Sequence, residues 1–367
     1  MLVTVHSASD PEVRTPRGPQ GRCMASTHLD RTLMPLTTPL CALLGIEVPI
    51  IQAPIGAASS PELAAAVSGA GGLGMLAQTF FDAAQVRERL RRTRSLTSRP
   101  VGVNLILDLP VRDQLDACLD EGAPIVSTFW GDPGPVHDAI SGAGALHLHT
   151  VGSVADAVTA ADRGVDVIVA QGWEAGGHVH GTIGTMALVP AVVDAVAPLP
   201  VVAAGGIADG RGVVAALALG AQAVWLGTRF LTAQEARVHD VYRRRVLEAG
   251  ADDSIHGLAY DGGWPGAPGR TLRNTTLERW EAAGRPAGPH RPGEGDIIAR
   301  DPAGKVFERY NDMPPAPGMT GDLEEMALYA GQSVGLVHDS APAADIIEGL
   351  VRDTCERLAA LEAFDRP

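Results

Sequence analysis

The run from Gln171 to Gly181 reads QGWEAGGHVHG and holds a histidine on glycine-rich backbone. Gly172, Gly176 and Gly177 allow the chain to turn sharply around a planar ligand. An imidazole titrates near neutral pH, so His178 is a candidate for proton transfer or for holding a developing anion. Glu174 in the same run could act as an acid or base, although a carboxylate in such a loop more often ties down backbone amides. Two further segments carry glycine where a strand should end: PVVAAGGIADG (200–210), with Ala204, Gly205 and Gly206, and AVWLGTRF (223–230), with Gly227 and Thr228. Glycine lets backbone N–H groups approach a ligand and a following helix adds partial positive charge, which together suit a phosphate. One such turn is also an ordinary strand-to-helix connection; two of them, one unit apart, point to a phosphate-bearing cofactor.

Other polar positions carry less. Ala53, Pro54 and Ile55 end the first apolar run and would face a ligand with their backbone. Gly71, Gly72 and Gly74 read as tight helix-to-strand packing. Asn104 follows VGV and could either hydrogen-bond a polar ring edge or start a turn. His178 with His180, and His147 with His149 on one strand face, suggest metal pairs, but no carboxylate or third ligand stands at a suitable spacing, so no metal is expected.

These residues must be positioned by repeated β/α units. From Val48 onward short apolar runs alternate with helical patterns. Strands are expected at 48–53, 73–76, 101–104, 124–127, 145–149, 165–170, 200–204 and 223–227. Ser60 before Pro61, and Ser153 with a stop at Gly164, frame two of the helices. Eight units predict an α/β fold, a closed (β/α)8 TIM barrel; an open doubly wound sheet usually has about five to seven strands. Glycine turns after strands seven and eight match the usual phosphate site of such a barrel.

Residues 1–33 are polar and rich in Pro, Arg and Ser, and read as a disordered extension or as residues upstream of a natural start near Met34. The barrel is expected over 34–233. Residues 234–322 break the alternation and read as an irregular, partly helical cap whose length argues for function. Residues 323–367 return to an amphipathic helical pattern that would pack on the barrel.

Composition narrows the function classes. Acidic residues outnumber basic ones 43 to 29, a net charge of −14, so nucleic acid is not an expected partner. Aromatic residues make up only 4%, against the 46% that are hydrophobic, which suits packed β/α units better than a β-sandwich. Cys23, Cys41, Cys118 and Cys355 are scattered without CxxC spacing, and a reducing, cytoplasmic setting is the default. No apolar run reaches the roughly 18 residues of a membrane span, so no membrane partner is expected. A homo-oligomer is compatible with the sequence.

The segments PIIQAP, GGLG, GVN, QGWEAGGH, VVAAGGIADG, GTRF, GRTLRN and ALYAGQSVGL, in this order from about Leu36 to Leu358, resemble the nitronate monooxygenase family, formerly called 2-nitropropane dioxygenases. More broadly they are similar to the FMN barrels that include the flavin-type enoyl-ACP reductase. The resemblance implies FMN as cofactor, with Ala204, Gly205, Gly206, Gly227 and Thr228 at its phosphate. It implies that Asn104, Gln171, Gly176 and Gly177 contact the flavin or its chain and that Ala53, Pro54 and Ile55 lie beside the isoalloxazine. His178 matches the family's catalytic histidine, and Gln332 would line the same pocket. Two departures stand out. Ile55 occupies a position that is commonly Met, and Thr150, with His149 alongside, occupies one where some members place a cofactor-contacting Lys.

The implied activity is oxidation of an alkyl nitronate, or of a nitroalkane after loss of its α-proton, with a small-molecule substrate and O2. The rival is an FMN-dependent NAD(P)H enoyl-thioester (enoyl-ACP) reductase, since no GxGxxG strand-turn-helix segment separates the two in a barrel of this kind. A flavin-binding protein without turnover is disfavoured because the site keeps its histidine.

Overall fold

The structure is a computed structural model that describes residues 36–362. The expected N-terminal extension and the start near Met34 lie outside the described residues, as does the end of the C-terminal stretch.

Short runs of Val, Ile, Leu and Ala form strands that are buried on both faces, as parallel sheets require. In chain order these are β1 (Ile50–Gln52), β2 (Gly74–Ala77), β3 (Val101–Ile106), β4 (Ile125–Phe129), β5 (Leu146–Val151) and β6 (Val167–Gln171). A two-residue strand β7 (Gly177–His178) follows, then β8 (Val201–Ala204) and β9 (Ala223–Leu226). Eight of them, all but β7, pair in parallel in the order β1-β9-β8-β6-β5-β4-β3-β2. The ring closes where the Leu73 N–H donates to the Ile50 carbonyl (3.0 Å) and the Gln52 N–H donates to the Leu73 carbonyl (2.9 Å). The eight-stranded barrel expected from the alternating pattern is therefore present, each strand within a few residues of its expected place.

Helices α1 (Pro39–Leu44), α2 (Pro61–Gly69), α3 (Ala83–Leu96), α4 (Arg112–Asp120), α5 (Gly134–Gly142), α6 (Val154–Asp162), α7 (Thr185–Val196) and α8 (Gly210–Ala218) accompany the strands. Their starts follow capping chemistry. The Ser60 hydroxyl accepts from the Leu63 N–H (2.9 Å), and Ser153 accepts from the Asp156 N–H (3.1 Å). Inside the barrel, Ile51, Met75, Ile125, Leu148, Val167, Val169, Val202 and Trp225 form one buried cluster with Leu40, Cys41 and Leu44 of α1. Helix α1 thus plugs the N-terminal end, its Thr38 cap residue donating to the Gln222 carbonyl just ahead of β9 (2.6 Å). With one end plugged, a ligand cavity can open only at the other.

Beyond β9 come α9 (Asp240–Glu248), β10 (Ser254–Gly257), β11 (Gly269–Leu272), α10 (Thr275–Ala282), β12 (Ile297–Arg300), β13 (Val306–Glu308), β14 (Thr320–Gly321) and α11 (Ala343–Glu362). The cap is more regular than its Gly- and Pro-rich sequence suggests. It carries one three-stranded antiparallel sheet ordered β10-β11-β7 and another ordered β13-β12-β14. Strands of two to four residues are too short to show a period of two, which is why sequence pattern missed them. Within the last stretch only α11 is α-helical, and its Ile346, Ile347 and Leu350 join the core cluster that holds Val213 of α8.

Side chains on β5 alternate, so His147 and His149 point away from the barrel axis into the helix layer. There the Thr128 hydroxyl bridges His147 Nε2 (2.8 Å) and His149 Nδ1 (2.7 Å). Burial pushes their pKa values down to about 3 and about 4. Among the described residues no cluster of His, Cys, Asp and Glu is arranged to hold a metal.

Both folded-state values lie below the usual value of about 6.5, so between roughly pH 6.5 and 4 the unfolded chain binds protons that the folded chain refuses. Stability should therefore fall as pH drops through that window, by up to about 1.4 kcal/mol per pH unit for each histidine. Melting curves from pH 7 to 4.5 should show a shallower decline in His147→Leu than in the parent. Parallel declines would mean that His147 does not resist protonation.

Candidate active site

A cavity of about 540 Å³ opens at the C-terminal end of the barrel, and residues at the ends of all eight parallel strands line it. Of the residues singled out from sequence, Ala53, Pro54, Ile55, Asn104, Gln171, Gly176, Gly177, His178, Ala204, Gly205, Gly206, Gly227 and Thr228 all face this one cavity. Gln332 does not. Its neighbours Gly331 and Ser333 line the wall, while its own N–H donates to the Glu174 carbonyl (2.9 Å) at the start of a short 3-10 turn (Gln332–Leu336).

The loop between β6 and β7 is fixed from two sides. On the barrel side, the Gly172 N–H donates to the Ala204 carbonyl (2.8 Å). Glu174 accepts from both the Thr185 N–H (2.8 Å) and the Thr185 hydroxyl (2.9 Å). Its carboxylate is thereby committed to holding the loop, as one of its two sequence readings supposed. On the cap side, β7 pairs with β11, Gly177 opposite Arg270 and His178 opposite Gly269. The buried Arg270 guanidinium donates to the Trp173 carbonyl (2.9 and 3.2 Å) and to the Ser254 carbonyl (3.1 Å). A Cβ on Gly176 would stand 2.4 Å from the Gly331 nitrogen, so only glycine lets the two segments meet.

His178 emerges from this clamp against an aromatic wall, its ring 4.6 Å from Trp264, 5.6 Å from Tyr329 and 6.2 Å from Trp130, centre to centre. Burial pushes its pKa down to about 4, and the carbonyls of Pro268 and Ala267 beside the ring oppose the shift without cancelling it. Near neutral pH the ring is therefore uncharged. Its Nδ1 is buried without a hydrogen-bond partner, and so is Oε1 of Gln171, whose amide nitrogen donates to the His178 carbonyl (3.2 Å).

At the turn after β8, Gly205 and Gly206 both take left-handed backbone, with φ of 99° and 72°. The expected contribution of the α8 N-terminus is partly spent: the Asp209 side chain accepts from the Arg211 and Gly212 N–H groups, capping the helix itself. The open donors lie in the glycine turn, where the Gly206 N–H has no acceptor among the described residues. Across the gap, the Thr228 hydroxyl accepts from the Gly331 N–H (2.9 Å), which leaves its proton for a ligand. A Cβ on Gly227 would sit in ordinary contact with Ile55 Cγ2 (3.4 Å) and Ala53 Cβ (3.6 Å), so this glycine lies against the wall formed by the end of β1.

Asn104 lies within β3 and starts no turn. Its amide points at Ser127, with Nδ2 3.2 Å from Oγ and 3.3 Å from the carbonyl. Thr150 faces the cavity, whereas its neighbour His149 faces the helix layer, so β5 brings no cation to the site. Sequence reasoning missed Phe81, Trp225, Tyr242, Lys305, Asp312 and Tyr329, all of which line the cavity. The signal for Tyr329 was at hand in ALYAGQSVGL. It anchors the cap, donating to the Asp312 carbonyl (3.0 Å) while its own carbonyl accepts from the Tyr242 hydroxyl.

Comparison with known proteins agrees with this architecture. The family model for nitronate monooxygenase matches residues 37–117 and 110–353. The chain is 32% identical to the (3aS,4S,5R,7aS)-5-hydroxy-7a-methyl-1-oxo-octahydro-1H-indene-4-carboxyl-CoA dehydrogenase of Mycobacterium tuberculosis, covering 90% of this chain and 99% of that one. It is 33% identical to the nitronate monooxygenase of Paraburkholderia phytofirmans, covering 89% and 97%. Among solved structures, FabK from Thermotoga maritima superimposes with a TM-score of 0.73 at 31% identity, covering 89% and 99%. The match of the family model over most of the chain, on a barrel that gathers the expected residues around one cavity, makes this chain a member of the nitronate monooxygenase family of flavin-dependent oxidoreductases.

Proposed function

We propose that the protein oxidises an alkyl nitronate, or a nitroalkane after loss of its α-proton, using FMN and molecular oxygen. The observation that carries this reading is His178: a half-buried, uncharged imidazole on the wall of a largely apolar cavity, next to glycine turns that suit one phosphate. The residues present fit FMN in three respects. The Gly205–Gly206 turn and the Thr228 hydroxyl offer unspent donors for a phosphate. Gln171 and Asn104 both line the cavity, and Oε1 of Gln171 is left without a protein partner, free for a flavin ring edge. The cavity volume of about 540 Å³ leaves room for a small substrate beside such a group. When bound, FMN would supply the electron acceptor that no side chain of this chain can provide.

The chain's own residues handle the proton. The unprotonated ring nitrogen of His178 would accept the α-proton of a neutral nitroalkane, and the resulting imidazolium would stabilise the nitronate formed beside it. The aromatic wall excludes water and so strengthens that pairing. Asn104 and Gln171 hold polar groups in place, and Ile55 sets the width of the cavity.

A second reading is oxidoreduction of a CoA or enoyl thioester with NAD(P)H. Its support is the extension of the cavity beyond His178 to Phe307 and Asn311 through Pro314 of the cap, and similarity over nearly the whole chain to a CoA-ester dehydrogenase.

Heat treatment of the purified protein should release FMN, because there is one phosphate cradle; FAD alone in the supernatant would overturn the assignment. Gly206→Val places a β-branched side chain on left-handed backbone beside the Glu174 Cβ, and should yield folded protein with little bound flavin, read from the ratio of visible to ultraviolet absorbance. Full occupancy in that variant would remove the cradle from the turn.

His178→Ala should keep its flavin yet lose turnover of neutral nitroalkanes by about 10²- to 10⁴-fold, the usual range for acid–base groups. Pre-formed nitronates have already lost the proton and should suffer less. Equal losses on both substrates would deny His178 the proton. Because burial holds its pKa down to about 4, the acid limb of kcat/KM for a nitroalkane should fall well below the usual histidine value of about 6.5. A limb at the ordinary value would contradict a base held neutral by its surroundings.

A further inference from the structure

Trp130 sits on left-handed backbone (φ 60°), and so does Gly131 after it (φ 66°). A bulky side chain takes that conformation only where its surroundings hold it there, and such positions gather at functional sites. Here the turn is fixed from outside. The Phe129 carbonyl accepts from the Leu107 N–H (2.9 Å), and the Asp132 carboxylate accepts from the Gly134 N–H (2.9 Å) while pairing with Arg163 (3.0 Å). A Cβ on Gly131 would stand 2.8 Å from the Leu107 Cβ, so the turn is pressed against the segment that follows β3.

This turn aims the indole across the barrel rim. Trp130 follows β4, and β5 separates β4 from β6 in the sheet, yet the ring centre lies 6.2 Å from that of His178 and 4.8 Å from that of His180, both beyond β6. Gly152, after β5, leaves room for this approach: a Cβ there would lie 2.7 Å from the Gly181 Cα and 3.2 Å from the His180 ring. The indole also packs on Trp264 of the cap at 4.7 Å, and Trp264 packs on His178 at 4.6 Å, so the three rings form a triangle. Trp130 meets the imidazole nearly edge-on, at 84°, a favoured arrangement for aromatic pairs. Phe129, Gly263 and His178 line the cavity, whereas Trp130 and Trp264 do not, so the two indoles stand behind the histidine.

The charged groups on the elements around the imidazole are committed elsewhere. Arg270 donates to the Trp173 and Ser254 carbonyls, Asp132 pairs with Arg163, Asp261 pairs with Arg291, and Glu174 is held by Thr185. Burial keeps the Tyr329 hydroxyl protonated and makes Asp312 less willing to ionise. What surrounds His178 from behind is therefore apolar surface, and the indoles supply it. We propose that Trp130 is a positioning residue, which locks the cap to the β4 rim through Trp264 and seats His178 at the cavity wall with water shut out behind it. Its left-handed backbone is what lets one ring reach both partners. The proposal rests on the reading of His178 as the group that takes the substrate's proton, and adds how that group is held in place and kept neutral.

The test follows exchange of the imidazole C2 hydrogen for deuterium in the holoenzyme by mass spectrometry, with fragment ions separating His178 from His180. The exchange rate rises with pH through the histidine's own pKa and levels off above it. In the parent, His178 should exchange at one slow rate down to about pH 5, because its pKa lies at about 4. Trp130→Ala admits water to the ring, so the plateau rate should rise and the midpoint should climb by about one to two pH units toward the usual value of about 6.5. Trp130→Phe, which keeps a ring against Trp264, should stay close to the parent. Should Trp130→Ala yield no folded protein, Trp130→Leu is read in its place, with the same rise expected. His256, packed on Trp173 at 4.0 Å and outside the triangle, is the control. A parent-like His178 profile in the alanine or leucine variant, or an equal change at His256, would overturn the proposal. Exchange needs no turnover, so failure of the proton reading shows separately: the acid limb of kcat/KM for a nitroalkane would then stay in place while the exchange midpoint moves.

Discussion

The arrangement depends on the clamp that holds the loop between β6 and β7. That loop has to carry His178 into the cavity mouth, yet a short glycine-rich stretch has little structure of its own. Two polar groups supply it. Glu174 anchors the loop to the start of α7 through the Thr185 N–H and hydroxyl, and Arg270 reaches from β11 to the Trp173 carbonyl. A buried guanidinium is costly to desolvate, and three carbonyl contacts compensate it. The cap is therefore part of the catalytic scaffold, because without β11 there is nothing for β7 to pair with.

The same enclosure sets the electrostatics. The cavity gathers the ends of eight strands, but few charges: Glu174 is engaged, Asp312 is disfavoured as an anion by burial, and His178 is held neutral. In such surroundings a proton transferred to His178 creates a charge pair with whatever anion it leaves behind, and that pair is stronger for being shielded from water.

Much of this was legible in the sequence. Parallel strands buried on both faces announce themselves as apolar runs, and Ser60, Ser153 and Gly164 punctuate the helices between them, so the barrel could be counted off. Residues at strand ends were also within reach, because the fold places every such end on one rim. What stayed hidden depends on tertiary contact. β10 to β14 have two to four residues each and no readable period. Tyr329, Lys305 and Asp312 reach the cavity only because the cap folds over it. Gln332 was misjudged by one position, since a 3-10 turn leaves Gly331 and Ser333 on the wall. That Asp209 caps α8 itself follows from a side-chain contact that spacing alone does not specify.

The central claim, that this cavity passes electrons from a nitronate to a bound flavin, is open to one direct measurement. Purified holoenzyme is mixed anaerobically with an alkyl nitronate, and separately with NADH and NADPH, while the visible flavin absorbance is followed by stopped flow. The account predicts rapid bleaching by the nitronate, slow or no bleaching by either nicotinamide, and recovery of the yellow colour when oxygen is admitted. Rapid bleaching by NADH or NADPH with none by the nitronate would contradict it and favour the thioester reading.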